Sequence, residues 1–289
     1  MGKVAGSSNL SDHVFLPTPQ PALQRARGSG RISTKQANHV TRLDRLFQEG
    51  CAKIRLPHTH SNALEAVLIN TAGGLTGGDQ MDWTAQIAAH GKVVLTTQAC
   101  ERIYRSLGSA ARVRTRLHVG TDAHLDWMPQ ETILFAASQL DRRIEIDLAD
   151  GASLTAVEAI LLGRDAMGEL ALDARLRDNW RVRRNGRLIH AEATRLDGSA
   201  AERSGLSLLA GKRAFATVLH IAPTADACTA RLNRLRSILP QDGRIAASAN
   251  GERLVVRALA QTGLALRHLI VPILAELSGA GTLPRLWHL

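Results

Sequence analysis

The sequence predicts a mainly β protein built of stacked, solenoid-like strands with a few α-helices, and three observations predict it. Between about residue 25 and about residue 213, apolar side chains recur with a period of two, the alternation of half-buried strands. Turn-like pairs at His90-Gly91, Thr121-Asp122 and Asp150-Gly151 each precede an aliphatic strand and lie about 30 residues apart, as stacked coils would place them, though an ordinary meander would too. Only 3% of the chain is aromatic, so the core must be packed from branched aliphatic residues. The 289 residues provide ample core for one large domain, read here as residues 25–289 behind a flexible Ser-, Pro- and Gln-rich lead-in over residues 1–24.

Taken in order, Met81, Trp83, Ala85 and Ile87 alternate with Asp82, Thr84 and Gln86. Val113, Thr115, Leu117 and Val119 alternate with Arg112, Arg114, Arg116 and His118, and Ile144, Ile146 and Leu148 with Arg143, Glu145 and Asp147. Each set puts apolar side chains on one sheet face and polar ones on the other. Asn185-Gly186 sits between residues 180–184 and 187–191, a hairpin signal because both turn residues tolerate positive φ. From residue 214 the pattern becomes βαββα. After a strand over 214–221, Asp226 is placed to cap a helix with Cys228, Leu232, Leu235 and Leu239 on one face and Arg231, Arg234 and Arg236 turned away. Strands over 244–248 and 253–259 flank Asn250-Gly251, and Thr262 starts an apolar helix that Pro272 should kink or interrupt.

Thirty-six Lys and Arg against 26 Asp and Glu give a formal charge of +10. That excess suits acidic protein partners or phosphates. The Arg-rich stretch over 175–195 carries Asp178 and Glu192 and a single Trp, whereas RNA-binding sheets present two or three aromatics. It therefore reads as a charged sheet face or docking edge, with a basic nucleic-acid-binding module as the alternative function. Cys51, Cys100 and Cys228 are odd in number and widely spaced, without zinc-ligand spacing, as in a reduced intracellular protein. The N-terminus lacks a secretory apolar segment and no apolar run approaches the length of a membrane helix, so a cytoplasmic location is expected. His58-x-His60 is one pair without a third ligand, and reads as a solvated loop. No nucleophile elbow and no credible Cys–His pair appears, so no catalytic residue is assigned.

The most informative stretch runs from Asn70 to Asp79, with Gly73, Gly74, Gly77 and Gly78 inside six positions. Gly73 and Gly78 have phosphate-loop spacing, but Asp79-Gln80 stands where Lys-Ser/Thr is required, and a carboxylate there repels phosphate. The plain reading is a tight turn between strands over 66–69 and 81–87.

Residues 64–79, LEAVLINTAGGLTGGD, resemble the hallmark of the urease accessory protein UreD/UreH family. Further segments similar to that family follow in order: LTTQA (95–99), IYRS with Tyr104 and Arg105 (103–106), WMPQETILF (127–135), LGR and MGE (162–164 and 167–169) and LPRLW (283–287), while QEGCAKIRLP (48–57) fits its early segment. The resemblance implies a β-helix-like fold with a few helices. It also implies a non-enzymatic scaffold that binds apo-urease and joins it to accessory protein F and, through F, to the nickel-carrying GTPase accessory protein G. No tightly bound cofactor is implied; nickel is a transient cargo on an internal path. Carboxylates suit such a cargo, because they bind a borderline cation weakly. Asp79, Glu158 and Glu169 are the candidates. Glu158 stands inside an apolar strand over 154–162 and must find a partner, with Arg164 or Arg142 as the simple structural choice. For Asp79 the simple choice is to cap its own turn.

Overall fold

The computed structural model describes residues 1–2, 24–59, 61–164, 167–197, 199, 203–279 and 282–288. Most of the lead-in over residues 1–24, and His60 of the His58-x-His60 pair, therefore lie outside the described residues.

The chain enters through a hairpin of β1 (Arg27–Ala37) and β2 (Val40–Gly50), followed by the antiparallel pair β3 (Ala52–Arg55) and β4 (Leu64–Asn70). Coils of strand, tight corner, strand and return loop come next. The first holds β5 (Gln80–Ile87) and β6 (Lys92–Thr97), with β7 (Glu101–Ile103) in its return loop. The second holds β8 (Ala111–Val119) and β9 (His124–Met128), with β10 (Thr132–Leu134) in its loop, and the third holds β11 (Gln139–Leu148) and β12 (Ser153–Leu162). The hairpin of β13 (Arg175–Arg184) and β14 (Arg187–Leu196) follows, turning at Asn185 and Gly186 with φ of 48° and 78°. The tail is β15 (Ala214–Ile221), α1 (Ala225–Ile238), β16 (Ile245–Asn250), β17 (Arg253–Ala260) and α2 (Gly263–Leu277), ending in a 3₁₀ turn at Arg285–Trp287.

First strands of successive coils stack in a seven-stranded sheet, ordered β14-β13-β11-β8-β5-β1-β2. Second strands stack in a ten-stranded sheet along β16-β17-β15-β12-β9-β6-β4-β3, with β10 and β7 paired beside β12. Gln80 pairs in parallel with Arg112, and Ala111 with Leu140, so one coil is about 30 residues long, as the turn spacing predicts. The corners superpose as well. His90 N–H donates to Thr121 O (2.8 Å) and Asp122 N–H to Asp150 O (3.0 Å), while His90, Asp122 and Gly151 share positive φ. Asp and His are among the side chains that enter the left-handed region most readily, which explains these residues at each bend.

Two apolar layers result. Between the sheets lie Ile32, Trp83, Leu95, Leu117, Leu125 and Ile146. On the far side of the ten-stranded sheet, Met128, Val157, Val218 and Val256 meet Leu235 of α1, Ile270 of α2 and Trp287. Because β12 is covered on both faces it is nearly all buried, whereas β11 keeps a strict alternation with its outer face in solvent.

One local expectation needs adjustment. The α1 cap is Thr224, whose side chain accepts Ala227 N–H (3.2 Å), and Asp226 lies in the first turn, where its charge meets the helix dipole. Helix α2, capped by Thr262, holds Pro272 in its interior; without an N–H it interrupts the hydrogen-bond ladder there, while burial of the apolar face carries the helix on to Leu277. The glycine segment makes the turns between β4 and β5 and, because these strands belong to different sheets, also crosses from one sheet to the other.

Candidate functional site

Three neighbouring strands each carry one ionisable residue in phase with their inward apolar residues. Along β11 the inward positions are Leu140, Arg142, Ile144, Ile146 and Leu148. In β12, Glu158 is in phase with Leu154, Ala156 and Ile160, and in β13, Asp178 is in phase with Leu176, Trp180 and Val182. The fold brings the three together. Arg142 donates from Nε and Nη2 to the two oxygens of Asp178 (3.0 and 2.6 Å), and from Nη1 to Glu158 and to Thr132 Oγ1 (3.1 Å). Trp127 Nε1 donates to Glu158 Oε1 (2.9 Å) and Trp180 Nε1 to Asp178 Oδ2 (3.1 Å). Burial pushes the Glu158 carboxyl above its usual range, with the Arg142 charge opposing and the Asp178 charge adding to it. The polar row continues past Thr217, paired in register with Glu158, to Arg257, which grips Glu192 with two bonds of 2.9 and 2.8 Å.

On the other side of Glu158 a cavity of about 50 Å³ is bounded by Glu158, Arg142, Trp127, Gln130, Thr97 and Glu101. That is room for one or two waters. Glu101 lies on β7 and is held by Asn70 Nδ2 (3.0 and 3.2 Å); burial lifts its pKa from 4.5 to about 7, against the bonds from Asn70 and the Arg102 backbone. A carboxyl raised in the folded state favours folding below its unfolded pKa and loses that contribution as pH rises through the folded value. Wild-type stability should therefore fall between pH 4.5 and about 7 relative to Glu101→Gln, by an amount of order 1–3 kcal/mol. Urea unfolding across that window reads the difference, and parallel pH profiles would show that Glu101 is not desolvated.

Asp79 and Glu169 lie elsewhere. Asp79 is buried where the glycine segment meets β1, accepting Ala26 N–H (2.9 Å) and Thr76 N–H (2.8 Å), so it organises the crossing. Glu169 accepts Ala136 N–H (2.9 Å) and pairs with Arg164; burial pushes its carboxyl up, but these partners outweigh it and hold it below the usual range. The glycine segment is clasped to the Tyr104-Arg105 segment. Leu75 N–H donates to Arg102 O (2.8 Å), Tyr104 N–H to Leu75 O (2.7 Å) and Thr76 Oγ1 to Arg105 O (2.8 Å). A Cβ at Gly74 would stand 2.4 Å from the Tyr104 ring, and one at Gly77 2.2 Å from Ser106 Oγ. Gly73 and Gly78 adopt φ of 76° and 91°. Tyr104 packs edge-on against Phe135, with ring centroids 5.1 Å apart, and Arg105 is exposed.

Sequence reasoning missed Glu101, Asp178 and Glu131. Asp178 and Arg142 carry a legible signal, a lone charge on the apolar phase of a strand. Glu101 and Glu131 carry none, because β7, which holds Glu101, and β10, which Glu131 immediately precedes, have three residues each and no periodicity. Glu131 is buried beside Arg267 of α2 (3.3 Å), which also donates to Gln130 Oε1 (2.8 Å) and Leu286 O (2.9 Å) and lies 5.0 Å from the Trp287 ring centre. Trp287 Nε1 in turn donates to Met128 O (2.9 Å). Burial, reinforced by Glu131, pushes the Cys100 thiol up to about 12, so it stays protonated. A second buried polar group ties α2 to the sheet: Asp126 accepts from Ser278 Oγ (2.7 Å) and pairs with His124 (2.7 Å), and Thr155 Oγ1 donates to Leu277 O (2.8 Å).

The segments that meet here, WMPQETILF with LPRLW and the glycine run with IYRS, are the ones whose resemblance was noted above. Residues 26–288 match the family model described as UreD urease accessory protein. The chain belongs to this UreD family. It is 60% identical over 270 residues to the urease accessory protein UreD of Chelativorans sp. (strain BNC1), covering 93% of this chain and 96% of that one. It is 49% identical to the UreD of Agrobacterium fabrum (strain C58 / ATCC 33970) over 92% of both chains, and 48% identical to that of Rhizobium etli over 92% of this chain and 96% of the relative. Membership in the UreD family gives the chain an accessory role in urease maturation. Among the described residues no helix is long and apolar enough to cross a membrane.

Proposed function

We propose that this UreD-family chain is a non-catalytic cytoplasmic scaffold that binds apo-urease, recruits accessory protein F and, through F, the nickel-carrying GTPase accessory protein G, and offers nickel an internal route towards the urease active site. It holds no cofactor tightly and acts on neither nucleic acid nor membrane. The observation that carries the route is the row of ionisable side chains inside an otherwise aliphatic solenoid, from Glu101 through the cavity to Glu158 and Arg142. Oxygen ligands exchange a borderline cation readily. Glu101, titrating near 7, lets protons compete with the cargo, so uptake releases a proton and binding stays weak. Arg142 already occupies both oxygens of Asp178 and one of Glu158, which leaves the inner carboxylates little capacity to trap a cation. Asp79 and Glu169 would serve by shaping the return loops, since their oxygens are engaged by backbone N–H groups. Support for partner binding comes from exposed apolar side chains in those loops, Leu107, Met167, Leu170, Leu172, Leu206 and Leu208.

Co-expression with accessory proteins F and G and apo-urease tests both parts. A complex of this chain with F and apo-urease should co-elute on size exclusion, and a folded chain that elutes alone at micromolar concentration would remove the scaffold. Glu101→Gln should leave that complex intact while urease nickel content falls several-fold. Full nickel loading with the variant would remove the internal route.

A further inference from the structure

The outer face of the seven-stranded sheet takes no part in the site above. Outward positions on β8 are Arg112, Arg114, Arg116 and His118, and those on β13 include Arg175, Arg177, Arg181 and Arg183. Between these strands, β11 presents Arg143 with Asp141, Glu145 and Asp147. Eight arginines against three carboxylates leave +5 on three adjacent strands, half of the formal +10 of the whole chain.

This field does little for the fold. Arg116 lies 3.8 Å from Asp82 and 3.9 Å from Glu145, and Arg143 lies 3.8 Å from Asp141, long contacts between exposed groups that are worth little in water. Arg112, Arg114, Arg175, Arg177 and Arg183 make no ion pair among the described residues. Arg114 and Arg143 are direct neighbours in register, about 4.8 Å apart across the sheet, where like charges destabilise the pairing. In register Asp141 stands between Arg112 and Arg177, and Glu145 between Arg116 and Arg181, so part of the field is balanced within the sheet. The excess of +5 that remains is relieved when an acidic surface covers it.

We propose that this face docks a folded protein whose surface is acidic, with a minority of basic groups set against the carboxylates of β11. The inference deepens the scaffold reading and rests on it. A second copy of the chain would set +5 against +5. Nucleic acid fits less well, because Asp141, Glu145 and Asp147 run through the middle of the arginine field and the outward positions of these strands hold no Phe, Tyr or Trp for stacking, with His118 beside Asp147. The spread of both signs across the sheet face sets orientation as well as attraction.

The test compares two triple variants of the full chain with equal charge change. Arg114→Glu/Arg177→Glu/Arg183→Glu alters the face, and Arg55→Glu/Arg236→Glu/Arg285→Glu alters exposed arginines elsewhere. Each is first shown to unfold cooperatively like the wild type. Affinity is then measured by interferometry for apo-urease and for accessory protein F, separately, at about 50 and about 300 mM salt. The face variant should bind one of these probes at least about tenfold more weakly at low salt, with a flatter salt dependence, while the control variant binds as wild type does. Equal binding by the face variant, or equal weakening by both variants, overturns the proposal while leaving the scaffold reading standing. Wild-type chain that binds neither probe overturns both. Nanomolar binding of a generic DNA duplex at physiological salt, lost in the face variant, assigns the face to nucleic acid instead.

Discussion

Arg142→Met should destabilise the chain by about 3–5 kcal/mol, the usual cost of removing one partner from a buried ion group. Arg142 is buried and is the only cation hydrogen-bonded to Glu158 and Asp178 among the described residues. Without it two carboxylates face each other across an apolar interior, and one must take up a proton to remain there. Loss of the Arg142 charge, which opposes the effect of burial on Glu158, raises that carboxyl further above its unfolded value, so the deficit should grow as pH rises and shrink as it falls towards the unfolded carboxylate range. Urea unfolding near pH 8 and near pH 5 measures both the loss and its slope. Arg142→Lys should recover only part of the loss, because an ammonium group cannot reproduce the fork that holds both Asp178 oxygens while reaching Glu158. If Arg142→Met unfolds within about 1 kcal/mol of wild type at pH 8, the ion group does not hold the two sheets together.

Gly74→Ala should cost about 2–5 kcal/mol, combining backbone strain with overpacking. Its φ of 148° is rarely adopted by L side chains, and the added methyl would lie 2.4 Å from the Tyr104 ring and 2.7 Å from Arg102 O. That carbonyl already accepts Leu75 N–H at 2.8 Å, so moving it away opens the clasp between the glycine segment and β7. Gly73→Ala is the internal comparison. Gly73 also has positive φ, 76°, but nothing lies within 4 Å of its Cβ position, so the cost should be about 1–2 kcal/mol from conformation alone. Thermal unfolding of the two variants separates these contributions, and equal losses would show that close approach to Tyr104 plays no part in the clasp.

Glu158, Arg142 and Asp178 illustrate how far the candidate site was legible. Alternation in β11 and β13 exposes Arg142 and Asp178 as charges on an apolar phase, Glu158 stands out as a lone charge in the apolar run of β12, and Arg142 was one of two partners open for Glu158. The choice between Arg142 and Arg164 was not legible, because it depends on which strand of the opposite sheet faces β12. Arg164 instead pairs with Glu169 and lies over the Phe135 ring, 4.7 Å from its centre. The capping role of Asp79 was open to sequence reasoning because its contact with Thr76 N–H is local, whereas its hold on Ala26 N–H spans 53 positions and was not.

By itself the sequence determined the long alternating strands from β5 to β17, the corners at His90, Asp122 and Gly151, the Asn185-Gly186 hairpin, both helices of the tail and the family, because each rests on local alternation, local φ preference or contiguous motifs. Tertiary structure alone decided that β4 and β5 lie in different sheets, that Arg267 reaches Glu131 across 136 positions, that Glu101 titrates near 7 beside a cavity, and that Arg114 and Arg143 stand side by side on one open face. Those outcomes follow from the register between coils and from loss of solvent, and a period-two pattern sets which way a side chain points without setting which side chain it meets.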